Sequence, residues 1–152
     1  WRTVACETLR RAAELPAGFD DEAWFADVYA RFARPGMWEL HDDVLPCLAA
    51  VRPKARLAVI SNFDGRLRTI LRNLGVADFF EHLFISSEVG AEKPSPEIFR
   101  QALATMDVDP SACLHVGDDE VRDGNGARQA GLAVFLVDRP GRSLQDVAKL
   151  CV

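Results

Sequence analysis

The sequence predicts an α/β protein built on a doubly wound parallel sheet. Short, continuously apolar, β-branched runs recur from residue 57 onward, of the kind buried on both faces in a parallel sheet. Helical segments with their own start and stop residues separate these runs, the alternation expected of βαβ units. Polar residues suited to chemistry gather where the runs end, on the edge at which open α/β sheets bind ligands.

The elements follow in order. Residues 1–40 are helical and aromatic, with no strand pattern. "WRTVACETLRRAAEL" reads as a helix already under way at Trp1, so the chain is expected to be a piece of a longer protein that lacks its first segment. In "DEAWFADVYARFAR", Trp24, Phe25, Val28 and Phe32 share one helical face, a stripe that belongs to a core or to a surface packed on a neighbouring domain. Asp20 or Asp21 caps its start, and Pro35-Gly36 stops it. Residues 42–51 form another helix, capped by Asp42 or Asp43, with Pro46 in the first turn where its missing N–H does little harm.

"LAVIS" (57–61) is the first strand. A helix follows with Asp64 as N-cap and Gly75 as left-handed stop. "HLFIS" (82–86) is the second strand, and "SPEIFRQALATM" a helix with Ser95 as N-cap and Pro96 at its first position. "CLHVG" (113–117), a helix over 123–130 stopped by Gly131, and the strand "AVFLV" (133–137) complete the pattern. The expected division is an all-helical region over 1–41 and an α/β body over 42–152.

Composition bounds the function. The chain has 152 residues, 49% hydrophobic and 27% charged, enough to bury a real core. A net charge of −5, with Lys and Arg scattered rather than striped, argues against a nucleic-acid partner. No apolar run is long enough to span a bilayer, which argues against a membrane partner. The four cysteines (Cys6, Cys47, Cys113, Cys151) are far apart and form no C-x-x-C pair, so reduced thiols in a cytoplasmic protein are expected.

Three strand ends carry the chemistry. The first ends in Ser61-Asn62, a hydroxyl and an amide ahead of a helix N-terminus, suited to holding an anionic oxygen. The second leads into "SSEVGAEKPSPEIF", where Lys93 precedes two prolines that stiffen its loop. The third ends in "GDDEVRD", with Asp118, Asp119, Glu120 and Asp123 within six positions. Crowded like charges cost stability unless solvent, a cation or a basic side chain compensates. A hydroxyl, a lysine and paired carboxylates suit phosphoryl chemistry with Mg²⁺: the first two hold phosphate oxygens and the carboxylates hold the hard cation. Each element alone is weak; their order at successive strand ends is what points to a metal-assisted phosphate site.

"LAVISNFDGRL", "SSEVGAEKPSPEIF" and "HVGDDEVRDGNGARQAG" together resemble the second, third and fourth motifs of the haloacid dehalogenase-like hydrolases, in the subgroup with a helical cap and an SNFD second motif. The resemblance implies a Rossmann-like core and makes residues 1–41 part of the cap. It implies that Ser61 donates to a phosphate oxygen with the Asn62 backbone nearby, and that Lys93 neutralises the phosphate and the attacking carboxylate. Asp118 would bind Mg²⁺ and Asp123 would support the metal shell. Asp119 and Glu120 remain with the solvated-loop reading.

The family attacks phosphorus with an Asp from a D-x-D motif on a first strand, and that motif is absent here. Asp20 and Asp21 follow Pro16-Ala17-Gly18 rather than a β-run and read as a helix cap. The resemblance places the absent strand between 57–61 and 113–117. Strands pair at about 4.8 Å, so its neighbours would stand about 9.6 Å apart, too far to hydrogen-bond. The leading expectation is a phosphatase for a small phosphorylated metabolite, working through an aspartyl-phosphate in the complete protein and inactive in this chain alone. Halide release needs no divalent cation, which the Asp118/Asp123 pair argues against; phosphomutase activity shares the same motifs. The alternative of another class is a non-catalytic phosphate-binding or scaffolding protein. His115, inside a strand run, reads as a packed core histidine; His41 and His82 have no partners at metal spacing. Arg122 and Arg128 read as helix-surface residues, and Trp38 as part of the cap–core junction.

Overall fold

The structure, a computed structural model, describes residues 1–150. The chain divides into two compact units, Trp1–Trp38 and Glu39–Val152. The division falls three residues before the expected one.

The first unit holds α1 (Arg2–Ala12) and α2 (Asp21–Arg31). Asp20 caps α2, its Oδ1 accepting from the N–H groups of Glu22 and Ala23 at 3.0 and 2.9 Å. The helix stops at Arg31, ahead of Pro35-Gly36, and Trp38 folds back to donate its indole N–H to the Phe32 carbonyl at 2.7 Å. The aromatic stripe of α2 is not core: no residue of that helix is fully buried, and Phe32 is 46% exposed. Within this unit α1 is the helix that packs against α2, and one short neighbour cannot cover the stripe.

The second unit is α/β. It runs α3 (Val44–Val51), β1 (Ala58–Ser61), α4 (Arg66–Asn73), β2 (His82–Ile85), α5 (Ser86–Val89), α6 (Pro96–Met106), β3 (Leu114–Gly117), a π-helical turn (Glu120–Asn125), α7 (Gly126–Gln129), β4 (Ala133–Leu136) and α8 (Leu144–Leu150). β1 pairs with β2 in parallel, Ile60 opposite Phe84. β3 pairs with β4 in parallel, His115 opposite Val134. Among the described residues these are two separate two-stranded sheets, with no ladder joining β1 to β3.

Both pairs nevertheless share the same helical layers. On one side, Cys47 and Val51 of α3 and Val147 of α8 form a buried cluster with Phe135 of β4, and Leu57 and Val116 pack against it. On the other, Ile98 and Phe99 of α6 and Ala127 of α7 cluster with Ile60 of β1 and Val134 of β4. Alternation along β4 sends Phe135 to the first layer and Val134 to the second, the period of two that a strand imposes. Ile98 and Phe99 are fully buried, each contributing about 1.5–3 kcal/mol of apolar burial.

Most expected caps and stops are present, with shifts of a residue or so. Ser95 caps α6, its hydroxyl accepting from the Glu97 N–H at 3.3 Å, with Pro96 first in the helix. Gly75 (φ +71°) ends α4: its N–H donates to the Arg72 carbonyl, and that of Val76 reaches back to Leu71. The N-cap of α4 is Gly65 rather than Asp64, which sits one residue earlier and binds the Arg66 backbone and guanidinium. Asp43 is the N-cap of α3 but makes no cap hydrogen bond, because its carboxylate is turned to Arg139. The helix expected over 123–130 begins earlier, at Glu120, because Asp119 caps it, accepting from the N–H groups of Val121 and Arg122 at 2.9 and 2.8 Å. α5 and α8 have no counterpart in the sequence reading. Cys6 and Cys113 are free thiols, and burial pushes the Cys113 thiol pKa up; Cys151 lies outside the described residues.

Candidate active site

Three chain segments converge at the carboxyl ends of β1 and β3. Ser61 closes β1, with Asn62 next to it. Lys93 lies in the loop between α5 and α6, and Asp118 follows β3 directly. Asp123 comes from the π-helical turn.

Asn62 ties the first segment to the second. Its side-chain N–H donates to the Lys93 carbonyl at 2.8 Å, and its Oδ1 accepts from the Lys93 N–H at 2.7 Å. The amide expected near a phosphate oxygen is therefore spent on the Lys93 backbone. Lys93 Nζ donates to Asp123 Oδ1 at 2.7 Å, joining the second segment to the third. A lysine ammonium has three donors, so two remain for a ligand.

Asp123 is the most heavily engaged group of the site. It is 4% exposed. Oδ1 accepts from Lys93 and contacts His115 Nε2 at 3.0 Å; Oδ2 accepts from the N–H groups of Asp118 and Asp119 at 3.2 and 3.1 Å. Burial opposes ionisation here, but hydrogen bonds from His115, Lys93 and the Asp119 N–H outweigh it and hold the carboxyl well below the usual carboxylate range. A carboxylate has about four acceptor positions, and all are in use. Asp123 is thus fully committed to donors of the protein itself.

Gly117 makes this closeness possible. A Cβ there would stand 2.2 Å from the Asp123 Cγ. Gly126 plays a similar part beside the lysine loop, where a Cβ would stand 2.5 Å from the Pro94 carbonyl oxygen.

Two expected site groups are uncommitted. The Asp118 carboxylate is exposed, and neither it nor the half-buried Ser61 hydroxyl has a side-chain hydrogen bond or ion pair among the described residues. The rest of the acidic cluster is accounted for locally. Asp119 is the helix cap, and Glu120 pairs with Arg128. His115 is the residue the sequence reading undervalued: it is buried, as expected, yet its ring reaches the centre of the site. A histidine on the inward side of a buried strand needs a hydrogen-bond partner, and that requirement was the available signal.

Comparison with known proteins gives the family. The chain is 40% identical over 145 residues to the human haloacid dehalogenase-like hydrolase domain-containing protein 3, covering 92% of this chain and 56% of that protein. It is 36% identical over 101 residues to the glyceraldehyde 3-phosphate phosphatase of Methanopyrus kandleri, covering 65% of this chain and 43% of that one. The crystal structure of a 2-haloacid dehalogenase from Pseudomonas syringae superposes with a TM-score of 0.69 at 31% identity, covering 93% of this chain and 60% of that chain. The chain spans about half the length of the curated relatives it matches. The sequence model of the haloacid dehalogenase-like hydrolases matches residues 2–131, which takes in the Ser61, Lys93 and Asp118 strand ends together, and the chain belongs to that family.

Proposed function

We propose that this chain carries the phosphate- and cation-binding half of a Mg²⁺-dependent phosphatase for a small phosphorylated metabolite. The observation that carries the reading is the division of labour at the strand ends. Asn62 and Asp123 are spent on holding Lys93, while the Ser61 hydroxyl and the Asp118 carboxylate stay open. The Methanopyrus relative, by name a phosphatase for a three-carbon phosphate ester, supports the same direction.

The chain's own residues divide the work as follows. Ser61 donates its hydroxyl hydrogen to a phosphate oxygen. Lys93 offers its two remaining N–H donors to the phosphate and to the attacking carboxylate. Mg²⁺ characteristically keeps several waters and takes only one or two carboxylates plus substrate phosphate, and a lone open Asp118 fits that donor set. Among the described residues no three His, Cys, Asp or Glu side chains form an all-protein cage. Bound there, the ion would offset charge on the transferring group. Halide release has no use for such a carboxylate, so Asp118 favours phosphoryl transfer.

The attacking carboxylate is assigned to a strand seated between β1 and β3, forming an aspartyl-phosphate. The two strand pairs lie under common helical layers without a ladder between them, which suits a strand there. The early acids do not supply it: Asp20 caps α2, and Asp21 pairs with Arg10. That observation also favours a second reading, a protein that binds a phosphate ester without turning it over.

Hydrolysis of p-nitrophenyl phosphate by the complete protein separates the two. The expected result is Mg²⁺-dependent turnover that Asp118→Ala abolishes and that residues 1–152 alone do not show. No turnover, with phosphate still bound, would establish the binding reading; turnover indifferent to Asp118→Ala would remove the cation site.

A further inference from the structure

We propose that His115 is a positioning residue of this site, fixing the Asp123 carboxylate and, through it, the direction of the Lys93 ammonium. The proposal rests on the phosphate-site reading and adds a residue to it.

The ring is held between Phe99 of α6 and the Asp123 carboxylate. His115 lies within β3, its backbone in parallel register with Val134. Its ring meets the fully buried Phe99 edge-on, with centroids 4.9 Å apart at 85°. Nε2 lies 3.0 Å from Asp123 Oδ1, the same oxygen that takes Lys93 Nζ at 2.7 Å. An ionised carboxylate can only accept, so Nε2 carries the proton of this hydrogen bond.

Oδ1 has about two lone pairs, and His115 and Lys93 take one each. The histidine therefore limits what the lysine can reach. With its single bond to Oδ1, the ammonium keeps two N–H donors for a ligand. If the imidazole is removed, a lone pair on Oδ1 opens inside a buried site where an unmet acceptor is costly. The Oδ1 side of the carboxylate is then held by Lys93 alone and turns about the Cβ–Cγ bond, and the ammonium bonded to that oxygen changes direction with it and meets a phosphate less well. A ring that merely fills space between β3 and α6 would have no such effect.

Two variants separate these roles. His115→Phe keeps an aromatic ring and removes the donor; His115→Gln restores an amide N–H near the Nε2 position. The first readout is the side-chain ammonium ¹⁵N signal of Lys93 in residues 1–152 without added anion. It is expected to shift in His115→Phe and to return toward wild type in His115→Gln. The second is affinity for inorganic phosphate by calorimetry, expected to fall about tenfold in His115→Phe, the order of one hydrogen bond to a charged group, and to recover in His115→Gln. An unchanged Lys93 signal in a folded His115→Phe protein overturns the proposal, as does a His115→Gln protein that behaves like His115→Phe in both readouts. Should wild type bind no phosphate while the Lys93 signal behaves as stated, the phosphate reading fails and the positioning of Lys93 by His115 stands.

Discussion

Asn62 and Lys93 close a ring, the side-chain amide of the first holding both the carbonyl and the N–H of the second. That ring joins the end of β1 to the loop ahead of α6, two segments 31 positions apart in sequence. It makes the placement of the lysine depend on the Asn62 side chain. Asn62→Ala should weaken phosphate binding, and activity in the complete protein, by about 10- to 100-fold, the range for groups that orient a ligand-holding residue. Calorimetry with inorganic phosphate checks this, and circular dichroism should show the fold retained.

Gly117→Ala tests the closeness of β3 to Asp123. The added Cβ would meet the Asp123 Cγ at 2.2 Å, so the carboxylate must leave the Asp118 and Asp119 amides. The expected cost is about 1–3 kcal/mol by urea denaturation, typical of overpacking, together with loss of phosphate binding.

Asp43 carries a pH dependence remote from the site. It is 8% exposed and accepts from Arg139 Nη2 at 2.9 Å and from the N–H of Leu144, the first residue of α8, at 2.9 Å. The hydrogen bond from Arg139 holds its carboxyl below the usual range, against the opposing effect of burial. A depressed folded-state pKa contributes stability that is complete above the unfolded value of about 3.9 and disappears as pH falls through the folded one. Asp43→Ala should cost about 1–3 kcal/mol at pH 7, and the difference from wild type should shrink in acid below about pH 4. Urea denaturation across that range checks both the size and the sign.

Asp118→Ala should behave in the opposite manner. Its exposed carboxylate has no partner to lose among the described residues, so metal-free stability should stay within about 0.5 kcal/mol of wild type. Thermal denaturation with and without Mg²⁺ checks this; only the wild type should gain from the ion.

The second edges of β1 and β3, which carry no ladder among the described residues, should show in hydrogen exchange of residues 1–152. Amides bonded within the β1–β2 and β3–β4 ladders are expected to exchange slowly, and those on the opposite edges of β1 and β3 quickly. Uniform protection across both strands would mean that the pairs have joined.

What the sequence made legible was whatever short-range chemistry decides. All four strands stand within a residue of their apolar runs, because such runs have one comfortable home, under helices on both faces. Ser95-Pro96 and Gly75 mark helix ends by local geometry alone. The site residues were legible as types at strand ends, while their division into clamps and open groups was not. Asn62 and Asp123 have the same donors and acceptors wherever they point, and only the folded chain shows that Lys93 takes them. The α2 stripe was legible only as a face that can be covered, in a core or by a neighbouring domain, and coverage depends on what stands opposite.

The π-helical turn over Glu120–Asn125, in which the Gly124 N–H reaches back five residues to the Asp119 carbonyl, is an α-helical turn with one residue too many. Each residue of an α-helix advances the chain by about 100° around its axis. The surplus residue therefore acts as a phase correction between two fixed points, the Asp119 cap and the buried Ala127 on the other side of the turn. Asp123 itself is in ordinary helical phase with that cap, its N–H donating to the Asp119 carbonyl, so losing a position between Asp119 and Asp123 would turn its carboxylate by about 100° around the axis and out of the site. The length of this turn, and not only its acids, is part of the site's specification.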